Sequence, residues 1–309
     1  MTLPNTLPGI PLTFTIMDIR RPGKNKQSSR KSSTGFLVTI ILIIGIFVLF
    51  WYQLKDFQAA ESKVIESQKD YLPEPNRGRV YEKPFFSLSY VEKFELPEWV
   101  AYRLTSEMMN KPNHPRNQDF NPDPSIENGS AHYHDYKQSG YRRGHLVPSA
   151  DMSWNQEAMD ATFLLSNVAP MLEDFNDGIW LELEHNVRDW ARKYKSITVI
   201  TGPIFRDSIE VIGENEVLVP KYFYKAVFTT NKDKPNAIGF IFNQHDTTFG
   251  TLENYIVSID SIEKETGLDL FANMYGSWEE EIRIEKQKER FGLEWPFNPH
   301  WYKERMENK

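Results

Sequence analysis

Hydrophobic and polar positions alternate along this chain in three distinct regimes. Between Lys31 and Lys55 no charged residue occurs, and Phe36 to Tyr52 reads FLVTIILIIGIFVLFWY, apolar apart from Thr39. A run of that length without polar relief predicts a membrane-spanning helix, which needs roughly 20 such residues. The shorter apolar region of a cleaved signal peptide is the rival reading. Residues 55–84 form a linker: a charged, helix-compatible half, then LPEPNRGRVYEKP, where Pro73, Pro75 and Gly78 break any helix. From Phe85 onward the pattern is that of one folded domain. SITVITGPIF (196–205), VLVPKYFYKAVFT (217–229) and AIGFIFN (237–243) are rich in β-branched and aromatic residues and predict strands, the last two joined by a hairpin loop through TNKDKPN. Ile179, Leu183, Val187, Trp190 and Tyr194 recur at helical spacing and predict a helix from Asp174 to Tyr194 with that stripe buried. Another helix follows Ser258 and stops at Gly267. Strands and helices mix irregularly, an α+β pattern rather than repeated βαβ units.

Charge adds direction. The whole chain carries −7, yet residues 1–31 carry six basic residues against Asp18, leaving −12 for 55–309. Basic residues before the apolar run place the N-terminus in the cytoplasm and the large domain on the extracytoplasmic side, periplasmic or extracellular, of a single-pass protein. Residues 1–16 are uncharged and Pro-rich, and Met17, which opens MDIRRPGKNK, reads as the natural start. A domain at −12 argues against broad adhesion to nucleic acid, so any polyanion site must be local. The absence of cysteine excludes disulfides, thiolate metal sites and cysteine nucleophiles.

Candidate chemistry concentrates between Gly140 and Tyr194. GYRRGHLVPSADM places His145 behind two arginines, with Pro148 marking a strand edge or loop. In FLLSNVAPMLEDFNDGIWLELEHNVRDWARKY, Asn176, Trp180 and Glu184 step by four beside the buried stripe, so on a straight helix they share a face. On such a helix the Cα atoms of Asn176 and Glu184 lie about 12 Å apart along the axis. They cannot both hold one ion directly. Asn176 as an oxygen ligand, with Glu184 reaching a metal-bound water, suits a small hydrated cation such as Mg²⁺, with Mn²⁺ or another divalent ion able to substitute.

These motifs together resemble the DNA/RNA non-specific endonucleases of the ββα-metal (His-Me finger) class: RRGH, then SN, then N-x-G-x-W and a glutamate. EWVAYRLT (98–105), ITGPIF (200–205), VPKYFYKAVF (219–228) and SIEKETGLDLF (261–271) resemble further segments of that family, so the likeness extends over residues 85–275. It implies a ββα-metal nuclease fold with a mostly antiparallel central sheet flanked by helices, occupying 85–309. It implies metal-dependent hydrolysis of DNA or RNA without sequence preference, leaving 5′-phosphate ends. By position in the motifs, it implies that His145 is the general base, that Asn176 is the direct metal ligand, and that Glu184 holds a metal water. Arg103 and Arg143 would contact phosphate, and Asn167 would be a polar residue of the active site. The family's motif usually opens with Asp, where this chain has Arg142. That substitution puts the support of the loop in question, and its like charge would lower the basicity of His145.

Two other readings compete. His132 and His134 of AHYHDY could converge with His145 and His185 into a three-histidine zinc site of a hydrolase. Alternatively the chain is a non-catalytic, membrane-anchored module that binds nucleic acid or a partner. EEEIRIEKQKER (279–290) reads as a solvated helix face, and WPFNPHWY (295–302) as an aromatic segment packed on the domain.

Overall fold

The computed structural model describes residues 38–53, 55, 71–116, 119–229, 235–275, 277–285 and 295–308. The basic tail with Met17, most of the charged half of the linker and most of the loop TNKDKPN lie outside them. Two compact units divide the chain at Asp56 and Phe57. In the first, residues 38–53 form helix α1, and its apolar side chains are exposed, among them Phe47, Leu49 and Phe50. Among the described residues no helix is long and apolar enough to cross a membrane. Residues 32–37 and 54 of the apolar run are not among them, and helix 38–53 alone rises only about 24 Å.

The second unit is built on a seven-stranded sheet in the order β1-β2-β3-β6-β9-β10-β11. Its strands are β1 (Arg79–Glu82), β2 (Ser87–Val91), β3 (Leu96–Thr105), β6 (Ser196–Ile204), β9 (Tyr222–Thr229), β10 (Asn236–Asn243) and β11 (Ile256–Val257), and every neighbouring pair is antiparallel. Two-stranded ribbons pair β4 (Arg142–His145) with β5 (Val168–Met171) and β7 (Val211–Ile212) with β8 (Val217–Leu218). The segment predicted as one strand from 217 to 229 is thus two, β8 and β9. Pro220 between them has no N–H to give to a ladder, and Val219 before it donates to the Glu210 carbonyl at 2.8 Å.

Two short helices, α2 (Ser106–Asn110) and α3 (Gln156–Ala161), precede the long α4 (Leu181–Tyr194), and α5 (Ile259–Thr266) follows β11. Helices cover both faces of the large sheet, so its strands bury both sets of alternating side chains. One face carries Val100, Tyr102 and Leu104 of β3 with Phe223 and Val227 of β9. It packs against Trp180 and against Leu183, Val187 and Trp190 of α4. The other carries Trp99, Ala101, Ile200, Tyr224 and Phe228 under Ile259 and Ile262 of α5. The stripe predicted for the long helix is buried from Ile179 to Trp190, and α5 starts at Ser258, whose side chain caps Ser261 N–H, and ends at Gly267. The segment 295–302 does pack on the domain: Trp295 is fully buried, 5.2 Å from the ring of Trp190. The helix at 278–285 buries Ile284, so the predicted solvated face is not polar all round; residues 286–290 lie outside the described ones.

The domain begins earlier than its predicted boundary at 85. Tyr71 is buried, β1 forms an edge of the sheet, and the backbone N–H groups of Asn76, Arg77 and Gly78 all donate to the buried Glu98 carboxylate. The prolines do prevent a helix here, but the chain is tied down by a carboxylate distant in sequence rather than left as a linker.

Gly202 sits where β6 crosses closest to β3. A Cβ there would meet the Glu98 carbonyl oxygen, which is backbone and cannot swing aside. Gly202→Ala is expected to lower unfolding free energy by about 3 kcal/mol, the upper part of the overpacking range, read as a reduced urea midpoint.

Candidate active site

The ribbon of β4 and β5 is followed by the helical segment 175–194, the ββα arrangement the motifs imply. In β4 the two-residue repeat puts Arg143 and His145 on one side and Arg142 on the other. Gly144 between them lies so close to Met171 that a Cβ would strike that buried side chain. The His145 ring packs against Phe120 (centroids 5.2 Å) and, nearly perpendicular, against Phe163 (4.9 Å). Each phenyl ring also carries a cation: Arg143 lies 4.7 Å from the Phe120 centroid, and Arg116 lies 5.6 Å from that of Phe163. Burial, then Arg116, then Arg143 push the imidazole down to about 3. His145 is therefore neutral at pH 7, and its Nε2 has no hydrogen-bond partner among the described residues. Its carbonyl accepts a 3.3 Å bond from Trp180 Nε1.

Beneath it lies a buried cluster of charge. Asp151 accepts from Arg188 (2.8 Å) and from the Tyr102 hydroxyl (2.7 Å). Glu184 shares this environment with Lys225, whose ammonium sits 4.3 Å from the Trp180 ring centroid. Burial raises Glu184, while Lys225, Arg188 and Arg116 oppose the rise and Asp151 adds to it. Burial lowers Lys225, against the pull of Glu184 and Asp151. Arg116 acts on both His145 and Glu184, so one guanidinium joins the two expected residues electrostatically.

The four-residue row is not a straight α-helical face. Residues Phe175–Trp180 form a π-type turn broken at Gly178 (φ −102°, ψ −112°), and α4 begins only at Leu181. Trp180 is fully buried and Glu184 is buried, while Asn176 is only partly covered. Asn176 Nδ2 donates to Asp177 (2.5 Å), which leaves Oδ1 as the atom able to meet a cation.

The remaining expected residues divide. Asn167 is fully buried and has its amide satisfied: it accepts from Val147 N–H (2.9 Å) and donates to the carbonyls of Val147 and Thr162 (3.0 Å each). It holds the chain just past His145 and presents nothing to a substrate. Arg103 is not brought to the site. Tyr102 points to the side of Asp151, so its neighbour Arg103 takes the opposite sheet face, 5.4 Å from the Tyr71 ring. Arg142 is ion-paired with Glu173 and does not figure among the causes of the low His145 basicity. The shift is downward, but its charged sources are Arg116 and Arg143 and not Arg142 as expected. Arg116, Asp151, Arg188 and Lys225 join the site without having been expected there. Arg188 is accessible to pattern reading as the residue one turn beyond Glu184; Arg116, on a loop, has no periodic signal. Arg116 and Arg188 also line a cavity of about 330 Å³ with Arg192 and His114.

The four histidines considered for zinc do not converge. His132 stacks on His134 (4.8 Å) and caps a short turn, while His185 packs on Trp301 (4.0 Å). Among the described residues no group of three or more His, Asp or Glu side chains is placed to hold a metal.

An aromatic-flanked imidazole among guanidinium groups makes a surface suited to an anion such as a phosphate. Residues 65–276 match the family described as DNA/RNA non-specific endonuclease. The chain is 33% identical over 207 residues to the mitochondrial nuclease EXOG of Danio rerio, covering 60% of this chain and 58% of that protein, less than two thirds of its length. It is 32% identical over 305 residues to a nuclease of Syncephalastrum racemosum, covering 82% of this chain and 93% of the relative. Among solved structures, a chain of the crystal structure of the EndoG/EndoGI complex superposes with a TM-score of 0.61 at 30% identity, covering 67% of this chain and 90% of that one. The protein belongs to the DNA/RNA non-specific endonuclease family.

The charged sources of the His145 shift can be separated by titration. The acid limb of kcat/KM, and the imidazole titration followed by NMR, are expected well below the ordinary 6.5. Arg116→Gln should raise that value, and Arg142→Gln should leave it in place. Because the unfolded chain binds this proton more readily, His145 makes stability rise with pH from about 3 to 6.5. His145→Gln should remove that part of the slope.

Proposed function

We propose that this protein hydrolyses phosphodiester bonds inside DNA and RNA strands, with His145 as general base. The observation that carries this reading is the placement of His145 on β4, its Nε2 unengaged and its ring held between Phe120 and Phe163, which carry the Arg143 and Arg116 guanidinium groups. His145 takes a proton from water as the water oxygen bonds to phosphorus. The bond from phosphorus to the 3′ oxygen breaks with its electron pair on that oxygen, which takes a proton from solvent, leaving a 5′-phosphate and a 3′-hydroxyl, and His145 releases its proton to solvent. Arg143 and Arg116 orient the phosphoryl oxygens and offset their charge, since guanidinium forks match phosphate geometry. Contacts of this kind touch the backbone and not the bases, so little base preference follows.

The chemistry of Asn176 and Glu184, one amide oxygen and one carboxylate, suits a hydrated divalent cation such as Mg²⁺. Asn176 Oδ1 would hold it directly and Glu184 would brace one of its waters, a donor set of one amide oxygen and solvent that suits a hard ion. When bound, the cation supplies charge relief to the phosphoryl and leaving oxygens. A non-catalytic binding module would need neither the neutral imidazole nor the buried carboxylate.

We also propose that α1 belongs to a membrane anchor, with the nuclease domain on the extracytoplasmic side. Supporting this are the exposed apolar side chains along 38–53 and the basic residues before them.

His145→Ala should reduce nicking of plasmid by about 10²–10⁴-fold, the range of a lost general base, and Asn176→Ala should reduce nicking and raise the Mg²⁺ concentration needed for it. Chelation should abolish wild-type activity and added Mg²⁺ should restore it. Equal nicking by either variant overturns the residue roles. For the anchor, the full-length chain should stay with membranes through alkaline carbonate extraction; release into the supernatant overturns that proposal.

A further inference from the structure

Arg143 lines a second cavity, of about 420 Å³, with Tyr133, Tyr136, Lys137, Tyr141 and Arg142. Its lining differs from that around His145: three tyrosines, a lysine and two arginines border one space. The negative groups nearby are already engaged. Glu173 pairs with Arg142, and Glu210 accepts from the Tyr141 hydroxyl at 2.8 Å. Among the described residues Lys137 has no ion pair, so its ammonium is the charge left for a ligand beyond the phosphate that Arg143 and Arg116 meet.

Tyr133 is the unusual member. It is 41% exposed although it stands on a rigid support. The turn Tyr133–Tyr136 is closed by His132 and Asp135, and the buried Asp135 also accepts from Asn215 Nδ2 at 2.9 Å. The rings of His132 and His134 pack against Tyr133, at 4.9 and 3.9 Å between centroids. A large ring braced by His132 and His134 yet 41% exposed, beside the unpaired Lys137 ammonium, is an arrangement that can take the face of a nucleobase and the phosphate attached to it.

We propose that this cavity binds one unpaired nucleotide of the substrate strand, its base stacked on Tyr133 and its phosphate held by Lys137, next to the phosphate that Arg143 meets at His145. The inference rests on the nucleolytic reading above. Arg143 sets the register, because it lines the cavity and shares the Phe120 ring with His145. The base must be unstacked, since within an intact duplex both of its faces are occupied. The consequence is a preference for single strands, or for duplex with an unstacked base beside the cut.

The test uses the full-length chain and short single-stranded DNA carrying 2-aminopurine at successive positions, with binding read by fluorescence under chelation and cleavage read after Mg²⁺ is added. Stacking on Tyr133 is expected to quench the probe at one position. Tyr133→Ala should remove the quench and raise KM on single strands about ten-fold, as one lost stacking contact does, with kcat within about two-fold. Cleavage of intact duplex should not change, and Tyr133→Phe should behave as wild type. An abasic site at the quenched position should cost the wild type the same factor and cost Tyr133→Ala nothing further. Lys137→Ala should weaken binding and lower its salt dependence. A KM raised equally on duplex and single strand, or an abasic penalty undiminished in Tyr133→Ala, overturns the proposal. Competition by free dAMP without any abasic effect assigns the cavity to a free mononucleotide and also overturns it. Quenching without hydrolysis refutes the nucleolytic reading and leaves the cavity, whereas hydrolysis without quenching refutes the cavity alone.

Discussion

An imidazole that must stay neutral between two permanent cations is the constraint around which this site is organised. Phe120 and Phe163 make the arrangement possible. Each offers a ring face to a guanidinium and packs on His145, so the cations approach the imidazole without forming a hydrogen bond that would fix its proton. Like charge and burial then act in the same direction on the ring. The same two guanidinium groups form the positive surface that a phosphate would meet. The guanidinium groups therefore add to the effect of burial on the imidazole while they offer charge to an anion, and a change to either arginine disturbs both.

Much of this is legible in the chain because it is local. Runs of β-branched and aromatic residues mark β6, β9 and β10, and the stripe from Ile179 to Trp190 marks the inner side of α4. RRGH is readable as a strand-borne histidine beside arginines. What stays hidden has physical reasons. Both faces of the central sheet are covered, so β3 has no polar and apolar alternation to show that Arg103 faces away from the site. The step of four from Asn176 to Glu184 presumes an α-helix, and the π-type turn at 175–180 breaks that phase. Lys225 lies in a strand of buried residues, and nothing in its neighbours signals that it reaches Trp180. β1 escapes notice because a short edge strand with charged ends, RVYE, looks like a polar connector.

The buried charges raise a different question, because such groups rarely add stability. Asp151, Glu184, Arg188 and Lys225 all lose water on folding, and apolar residues of the same volume would hold the sheet to α4 at least as well. Their value lies in what they position. Trp180 lies beneath the Lys225 ammonium and donates to the His145 carbonyl, so it links the charge cluster to β4 directly. Tyr102 and Arg188 clamp Asp151 from β3 and from α4, fixing the helix against the sheet. Removing one charge would leave its partner buried and uncompensated, and the shift needed to relieve it would pass through Trp180 to the strand that carries His145. The cluster thus makes the placement of His145 and Glu184 a property of the whole sheet–helix junction, which no short motif could secure by itself.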